Sequence, residues 1–466
     1  MRKGLLVAAL LLAVPLSAQK PFTAAAPAAE FAARRAAVMG AIGDGVAVVQ
    51  GATELPVYKP FRQGAQFFYL TGVEVPRAIL LIDGRAKTST LFLPPRNERM
   101  ERSEGPVMGP GADAERLTGI ERVRARDEFD AALAAVSAEG RQIFTTFRPE
   151  ALEASSPGQV TAYARNNTAD KWDGRKSRED IFREKLAMSS PKSEIADLDR
   201  ILDRMRLVKS AREIALVREA SRMAGEAMLE AMRVARPGMK EHEIEAVGDY
   251  VFKALGSQGI GYFALVATGT NAAWPHYHAG QSTLADGDLV LFDYAPDFNY
   301  YTSDVTRMFP ANGRFTPRQR EMYGIYAKLY NALLTSIRPH VAPRVVIAEA
   351  FAKMTAIMKT FTFADPKVRE AAERFVAGYA GDRNSLGHWI GMEVHDVTAP
   401  YETLEPGMMF TIEPALTIPD ERIYIRLEDA IVITAGGYEN MSGFVPFDID
   451  GVERVMREEP KYVRPR

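Results

Sequence analysis

Hydrophobic residues in the first third of the chain fall into short runs that alternate with amphipathic stretches. Runs of consecutive apolar residues are typical of buried strands, whereas apolar residues at helical spacing indicate helices. The runs VAVVQG, FFYLTG, AILLID and STLFLPP predict strands, and the stretches AERLTGI and FDAALAAV predict helices. This alternation predicts a first α/β domain over residues 41–165.

The segments on either side of this domain differ from it in composition. Residues 19–40 are rich in Ala and Pro, so we expect a poorly ordered lead-in to a first helix. Residues 166–195 are polar and charged, which is typical of a connector. Both segments are therefore predicted to lie outside the first domain.

The rest of the chain, residues 196–466, mixes helix signals with apolar runs. A long helical region over residues 192–236 contains a capping box formed by Ser210 and Glu213. Further helices are predicted to start near Glu241 and after Thr316. The apolar runs that predict strands are DLVLFDYA, YTSDVTRMF, MMFTIEPALTI and IYIRLEDAIVIT. We therefore predict a larger α+β domain here and an α+β class for the whole chain.

Each of these four runs carries an acidic residue at a position where a buried strand is normally apolar. The four residues are Asp293, Asp304, Glu413 and Glu428. If the first hairpin turns at residues 298–299, Asp293 lies directly opposite Asp304. Cross-strand neighbours have Cβ atoms about 5 Å apart, and like charges at that distance are destabilising.

The second hairpin repeats this arrangement. A turn at residues 420–421 places Glu413 opposite Glu428. A buried carboxylate must pair with a cation or take up a proton. The two opposed pairs of acids therefore predict that the chain binds a compact multivalent cation. Because there are two pairs, we expect two such ions.

Composition restricts what can neutralise these acids. The 466 residues include no Cys, which excludes disulfides, thiolate zinc sites and cysteine nucleophiles. The side chains that could bind a metal are therefore the carboxylates and the six histidines. The formal net charge of −2 offers no electrostatic support for binding nucleic acid or a membrane surface.

The N-terminus is typical of an export signal. Arg2 and Lys3 precede the apolar residues 5–16, and the small residues 17–18 offer a cleavage point. The apolar stretch is shorter than the roughly 20 residues that a membrane span needs. We predict a signal peptide over residues 1–18 and an exported protein, periplasmic or secreted, without stable membrane association after cleavage; an uncleaved anchor is the alternative.

Three histidines lie in short segments that Gly or Pro interrupts. His388 and His395 belong to GHWIGMEVHD, and His276 belongs to NAAWPHYH. A lone His near apolar residues is more often a hydrogen-bonded core group than a ligand. Their position beside the acid-bearing runs favours a functional role, but spacing alone does not show which His binds metal.

Several motifs together resemble a known family. DYAPDFNYYTSDVTR, GHWIGMEVHD, TIEP and IRLED, in this order, are similar to the pita-bread dinuclear metallopeptidases. FRQGAQFFYLTGVEVPRAILLI and EGPVMGPGADAERLTGI resemble the N-terminal domain of aminopeptidase P and prolidase. The resemblance covers nearly the whole chain after residue 18. It implies a C-terminal pita-bread, creatinase/aminopeptidase-like catalytic domain preceded by a smaller α/β domain.

The resemblance also implies a site. Its metal ligands would be Asp293, Asp304, His388, Glu413 and Glu428. His276 and His395 would contact the substrate, and Arg426 would support the ligand network. Such a ligand set suits two divalent metal ions. Manganese is the metal that we expect first, and cobalt, iron and zinc are the alternatives. A hydroxide bridging the metals would attack the scissile bond, and Glu413 would carry the proton to the leaving nitrogen.

The implied activity is that of an Xaa-Pro aminopeptidase, which acts on peptides with proline at position 2. The alternatives are an Xaa-Pro dipeptidase (prolidase) that uses the same metals and, more remotely, a non-catalytic peptide-binding module. Asn384 replaces the usual His of the proline pocket, and Gln66 replaces an acidic residue of the first domain. Both departures concern specificity. The family commonly forms dimers or tetramers, so a homo-oligomer is expected.

Overall fold

The computed structural model describes residues 22–55, 57–381 and 383–463. The predicted signal peptide, residues 1–18, lies outside the described residues. The chain divides into two compact units. The first runs to Ile143 and includes Ser189–Glu194, and the second comprises Phe144–Met188 and the residues from Ile195 onward. Among the described helices, none has the length and apolar character that crossing a membrane requires.

The first unit is built around antiparallel strands and short helices. Its helices are α1 (Ala28–Ala41), α2 (Ala65–Thr71), α3 (Glu98–Glu104), α4 (Ala112–Thr118) and α5 (Phe129–Ala138). Its strands are β1 (Val46–Gln50), β2 (Ile79–Asp83), β3 (Thr88–Leu93) and β4 (Arg122–Ala125), and β5 (Ile143–Thr145) begins at its edge. β1, β2 and β3 pair antiparallel in sequence order, and β4 adds to β3 in parallel.

Two expectations for this unit are wrong. The run FFYLTG forms helix α2 rather than a strand, and every residue of that helix is buried. A helix that is apolar on all sides shows no periodicity, so its sequence cannot be told from that of a buried strand. Within the Ala/Pro-rich lead-in, residues 28–41 form the ordered helix α1. Its buried Arg34 and Arg35 donate to the carbonyls of Tyr69 and Leu70 at the end of α2.

The second unit contains longer helices and several small sheets. The helices that follow α5 are α6 (Pro157–Ala169), α7 (Arg178–Ser189), α8 (Asp199–Leu207), α9 (Ala211–Val234), α10 (Glu241–Ala254), α11 (Pro317–Leu334), α12 (Pro343–Thr360), α13 (Pro366–Ala377) and α14 (Ile449–Val455). The strands are β6 (Ile195–Asp197), β7 (Gly259–Ile260), β8 (Leu265–Thr268), β9 (Leu289–Asp293), β10 (Pro296–Phe298), β11 (Tyr301–Thr302), β12 (Thr306–Pro310), β13 (Met409–Ile412), β14 (Ala415–Ile418), β15 (Ile423–Arg426), β16 (Asp429–Thr434) and β17 (Gly437–Asn440). The polar segment predicted as a connector forms α6 and α7 for much of its length.

The predicted helix starts in this unit are confirmed. Ser210 and Glu213 form the reciprocal capping box of α9, α10 begins at Glu241, and Thr316 caps α11. The helical region before α9 is not continuous, because Val208 adopts an extended conformation and forms a bridge with Met408. The core of the unit packs α9–α13 against the strands that contain or adjoin the four acids.

The register of the first acid-bearing hairpin differs from the prediction. Asp293 pairs with Thr306, and Phe298 pairs with Tyr301. The turn therefore lies at Asn299 and Tyr300, which have φ angles of 52° and 72°. The residue directly opposite Asp293 is therefore Thr306, and Asp304 lies two positions before it. Because side chains alternate with a period of two, the displacement leaves Asp304 on the same face.

The register of the second hairpin is as predicted. Ala415 pairs with Arg426 on one side of the acids, and Ile412 pairs with Asp429 on the other. Both pairings place Glu413 opposite Glu428. The ladder is interrupted at this point, since neither acid belongs to a strand. Glu413 therefore lies in the gap between β13 and β14, and Glu428 lies opposite it in the gap between β15 and β16.

Candidate metal centre

Two sheets of the second unit meet at Thr306. Its backbone exchanges hydrogen bonds with that of Glu428, at N···O distances of 3.3 and 3.1 Å. On its other side, Thr306 pairs with Asp293. This residue therefore lies between Asp293 and Glu428, one acid from each predicted pair. Its hydroxyl also donates to Glu428 Oε2 at 2.8 Å, which fixes the orientation of that carboxylate.

A tyrosine links the first pair of acids. The hydroxyl of Tyr262 lies 2.6 Å from Asp293 Oδ1 and 2.7 Å from Asp304 Oδ1. A hydroxyl has one proton to donate, so it cannot satisfy two ionised carboxylates at once. One of these acids must therefore be protonated or must bind a cation.

His388 faces the acids with one ring nitrogen. Its Nε2 lies 3.3 Å from Asp304 Oδ2, 3.3 Å from Glu413 Oε1 and 3.7 Å from Glu428 Oε1. Its Nδ1 lies 3.2 Å from the carbonyl oxygen of Trp389, to which it donates. This contact leaves Nε2 as the nitrogen that faces the carboxylates and that can bind a metal ion once it is deprotonated.

Close packing holds the backbone at His388. The carbonyl of His388 accepts a hydrogen bond of 2.9 Å from Thr411 N. A Cβ at the preceding Gly387 would lie 1.9 Å from the carbonyl oxygen of Thr411, so only glycine fits there. The glycine of the GHWIGMEVHD motif therefore allows the imidazole to approach the acid-bearing strands.

Arg426 provides a permanent cation at the edge of the cluster. One guanidinium nitrogen makes a close contact with Asp293 Oδ2, and another lies 3.5 Å from Glu413 Oε2. The side chain is almost fully buried. Arg426 therefore offsets part of the negative charge of the two acids on its side of the cluster.

The carboxylates lie in an environment that disfavours their charge. Burial, together with nearby carboxylates, raises the pKa of Asp293 to about 6 and that of Asp304 to about 6. Burial and the charge of Glu428 raise the pKa of Glu413 to about 7, and burial raises the pKa of Glu428 as well. The protein scaffold alone therefore does not compensate this much negative charge.

The residues fit a site for divalent cations. Ligand atoms of Asp304, His388 and Glu428 all lie within 4.8 Å of one another. The Oε1 atom of Glu428 is buried and has no hydrogen-bond partner among the described residues. Glu413 contacts the same imidazole nitrogen, whereas Asp293 is joined to the group through Tyr262 and Arg426. An oxygen-rich set with one imidazole suits hard or borderline divalent ions.

His395 lies directly beside this cluster. Its ring stacks on that of His388, with centroids 3.8 Å apart and an interplanar angle of 18°. Burial, together with electrostatic interactions with His388 and His276, lowers the pKa of His395 to about 4. His395 is therefore a neutral imidazole at physiological pH, able both to donate and to accept a hydrogen bond.

A buried ion-pair network supports the segment that carries His395. Arg206 makes a close contact with Glu393 and lies 2.5 Å from Asp396 Oδ1. Lys209 Nζ lies 3.0 Å from the other oxygen of Asp396. Two cations thus balance two acids in an almost fully buried position, which anchors the chain on both sides of His395.

His276 lies on a loop along an open cleft. The cleft has a volume of about 550 Å³ and is lined by Trp274, Pro275, His276, Tyr277, His278 and Ala279. The side chain of His276 is exposed, and it acts electrostatically on His395. The third histidine of the prediction therefore lies close enough to His395 to influence its charge.

Two residues of this site were missed by the sequence reasoning. Tyr262 and Thr306 contact three of the predicted ligands. Tyr262 lies outside the quoted motifs, and Thr306, two residues after Asp304 in YTSDVTRMF, is uncharged and was not singled out. Asn384, at the predicted departure from the family, is exposed and its Oδ1 accepts a hydrogen bond of 3.2 Å from Arg344 N.

Two regions of the chain match known family models. Residues 215–435 match the model of metallopeptidase family M24, and residues 31–144 match that of the aminopeptidase P N-terminal domain. The Xaa-Pro aminopeptidase of Escherichia coli (strain K12) is 32% identical over 418 residues, which cover 85% of this chain and 89% of that protein. The chain belongs to metallopeptidase family M24. The family model and the relatives together indicate a hydrolase, a metalloaminopeptidase.

Solved structures of the family agree with this assignment. Proline aminopeptidase P II from Yersinia pestis is 31% identical, with a TM-score of 0.72 over 92% of this chain and 99% of that one. Zinc-substituted E. coli aminopeptidase P in complex with product is 28% identical, with a TM-score of 0.72 over 92% and 98% of the two chains. The predicted fold, a pita-bread catalytic domain after a smaller N-terminal domain, is confirmed.

Proposed function

We propose that the protein is an Xaa-Pro aminopeptidase that removes one N-terminal residue from peptides with proline at position 2. The observation that carries the proposal is the buried cluster of Asp304, Glu413, Glu428 and His388, whose charge the protein itself does not neutralise. Relatives that match most of the chain are Xaa-Pro aminopeptidases, which disfavours the prolidase alternative.

The metal would be held by the five predicted ligands, Asp293, Asp304, His388, Glu413 and Glu428. Divalent ions bound there would supply the positive charge that activates water and polarises a peptide carbonyl group. Manganese is our first choice, because carboxylates dominate the ligand set, and cobalt, iron and zinc are compatible with it. Metal content of protein reconstituted with each ion in turn would identify the one that it prefers.

The protein's own residues orient the substrate and move the proton. His395, a neutral imidazole beside His388, can donate a hydrogen bond to the carbonyl oxygen of the scissile bond as that oxygen gains charge. His276, exposed along the cleft, can contact the substrate from the loop side. Glu413, whose Oε1 lies 3.3 Å from His388 Nε2, is a carboxylate that can take up a proton and deliver it to the leaving nitrogen.

Replacement of Glu413 tests the proton-transfer role. A Glu413→Gln variant keeps an oxygen ligand but cannot carry a proton, so we expect turnover to fall at least 100-fold, within the range of general acid–base catalysis. The variant must first be shown by elemental analysis to retain both metal equivalents. Near-normal turnover in such a preparation would exclude Glu413 as the proton carrier.

A comparison of two substrates tests the activity itself. With Mn²⁺ added, we expect faster release of the first residue from Xaa-Pro-Yaa peptides than hydrolysis of Xaa-Pro dipeptides. Peptides with alanine in place of proline serve as the control for proline specificity. A preference for the dipeptides would identify a prolidase instead. Activity that persists after exhaustive chelation would contradict a metallopeptidase altogether.

We also propose that the protein is exported and forms a homo-oligomer. Export is supported by the basic and apolar pattern of residues 1–18, and oligomerisation by what is common in the family. N-terminal sequencing of the mature protein after cell fractionation tests the first proposal. Light scattering coupled to size-exclusion chromatography tests the second.

A further inference from the structure

A second buried carboxylate lies outside the metal centre. Glu241, the first residue of α10, is fully buried, and its carboxylate accepts four hydrogen bonds. The donors to Oε1 are Thr268 N at 2.9 Å and Asn271 Nδ2 at 2.9 Å. The donors to Oε2 are Tyr277 OH at 2.8 Å and Ser282 N at 3.0 Å. Each oxygen is thus satisfied by two neutral donors.

The chemistry of this position requires a carboxylate rather than an amide. No Lys, Arg or His among the described residues forms an ion pair with Glu241. The position at the N-terminus of α10 favours a negative charge, since the helix dipole is positive there. A glutamine would keep one acceptor oxygen and direct an NH₂ group at two donors, which leaves at least one of them without an acceptor.

Three of the four donors belong to the loop of residues 269–282 that carries His276, and the fourth, Thr268, is the last residue of β8 just before it. Thr268 and Asn271 precede this histidine, and Tyr277 and Ser282 follow it. The side chains of His276 and of the nearby Trp274 are exposed, so packing does not hold them in place. The position of the histidine is therefore set by its backbone, and Glu241 binds that backbone segment on both sides.

We propose that Glu241 is a positioning residue, which holds the loop of residues 269–282 so that His276 faces the substrate. This inference rests on the proposed function. Glu241 touches neither the predicted metal ligands nor His276 itself. Its effect on the reaction is indirect and passes through the conformation of the loop.

The variant Glu241→Gln tests the proposal, and Glu243→Gln is the matched control. Glu243 lies on the same first turn of α10 and is exposed, and among the described residues it accepts a hydrogen bond only from Lys240 N, at 2.8 Å. We expect Glu241→Gln to lower kcat/KM for an Xaa-Pro-Yaa peptide at least tenfold with unchanged metal content, and Glu243→Gln to leave it within twofold. If Glu241→Gln does not fold, Tyr277→Phe, which removes one of the four donors, should produce a smaller loss in the same direction.

A double-mutant cycle with His276→Ala separates positioning from general stability. If Glu241 acts by placing His276, then Glu241→Gln should cost less than threefold when His276 is already absent. An equal loss in both backgrounds would show a merely structural role and would overturn the proposal.

Hydrogen exchange provides a readout that does not depend on activity. Amides of residues 269–282 should exchange faster in Glu241→Gln than in Glu243→Gln, and unchanged exchange would also overturn the proposal. A wild-type protein that is inactive on Xaa-Pro peptides would refute the proposed function alone. In that case the exchange measurement would still decide whether Glu241 holds the loop.

Discussion

The hydroxyl of Thr306 should control the affinity of the metal centre. It donates to Glu428 Oε2 at 2.8 Å, and the other oxygen of Glu428 has no hydrogen-bond partner among the described residues. Thr306→Val keeps the shape of the side chain and removes this bond. Thr411→Val is the matched control, because Thr411 is equally buried and its hydroxyl has no hydrogen-bond partner in the described part of the chain.

The size of the effect follows from the charge of the acceptor. A hydrogen bond to a charged group contributes about 1.5–3 kcal/mol. Since about 1.4 kcal/mol corresponds to a factor of ten, loss of the bond should weaken metal binding about 10- to 100-fold. A loss of metal affinity in this range is also typical when a group that hydrogen-bonds a metal ligand is replaced. Removal of the unpaired hydroxyl of Thr411 should be close to neutral.

Titration calorimetry measures this difference directly. Mn²⁺ is titrated into each chelator-treated variant, after circular dichroism has shown that the metal-free forms are equally folded. We expect the dissociation constant of Thr306→Val to rise at least tenfold and that of Thr411→Val to remain within twofold of wild type. A wild-type affinity in Thr306→Val, or equal losses in both variants, would refute the view that this hydroxyl orients Glu428.

Two further predictions concern stability. Chelation should lower the midpoint of thermal unfolding by about 5 °C or more, because metal at 100 times its dissociation constant adds about 2.7 kcal/mol; a midpoint that does not respond to chelation and Mn²⁺ would contradict the site. In the first unit, a hydrogen bond from Arg141 lowers the pKa of Asp83 from 3.8 to about 2, against the effect of burial. A depressed carboxyl pKa stabilises the folded state above the unfolded value, and this stabilisation is lost as the pH falls. Urea denaturation should therefore show an advantage of wild type over Asp83→Asn that shrinks between about pH 4 and pH 2; a constant difference would exclude this linkage.

Local signals in the sequence predicted the second hairpin but not the first. Residues 419–421 lie at the centre of the second hairpin, so the position of Pro419 fixed the pairing of Glu413 with Glu428. In the first hairpin, Tyr300 adopts a left-handed conformation that its side chain does not favour. The predicted turn was therefore one position early, and the register was wrong by two.

Contacts between elements distant in sequence could not be predicted. Thr306 and Glu428 bridge two sheets whose strands lie more than 100 residues apart, and no local pattern encodes that contact. Tyr262 reaches the acids from a separate loop before β8. The charged side chains were predictable, because an acid in an apolar run is conspicuous. Their neutral partners, Thr306 and Tyr262, could not be predicted, because only the tertiary structure brings them to the acids.

Neighbouring acids at the start of β16 have opposite surroundings. Glu428 faces His388, whereas Asp429 accepts hydrogen bonds from Arg307, Tyr330 and Ser442 in the core. Sliding the strand by one position would exchange the two carboxylates, which differ in length, and would leave a buried guanidinium without its counter-ion. Electrostatic pairing on both faces therefore locks the alignment of this strand. A chain with the two residues interchanged, Asp at 428 and Glu at 429, would have the same composition but would satisfy neither face.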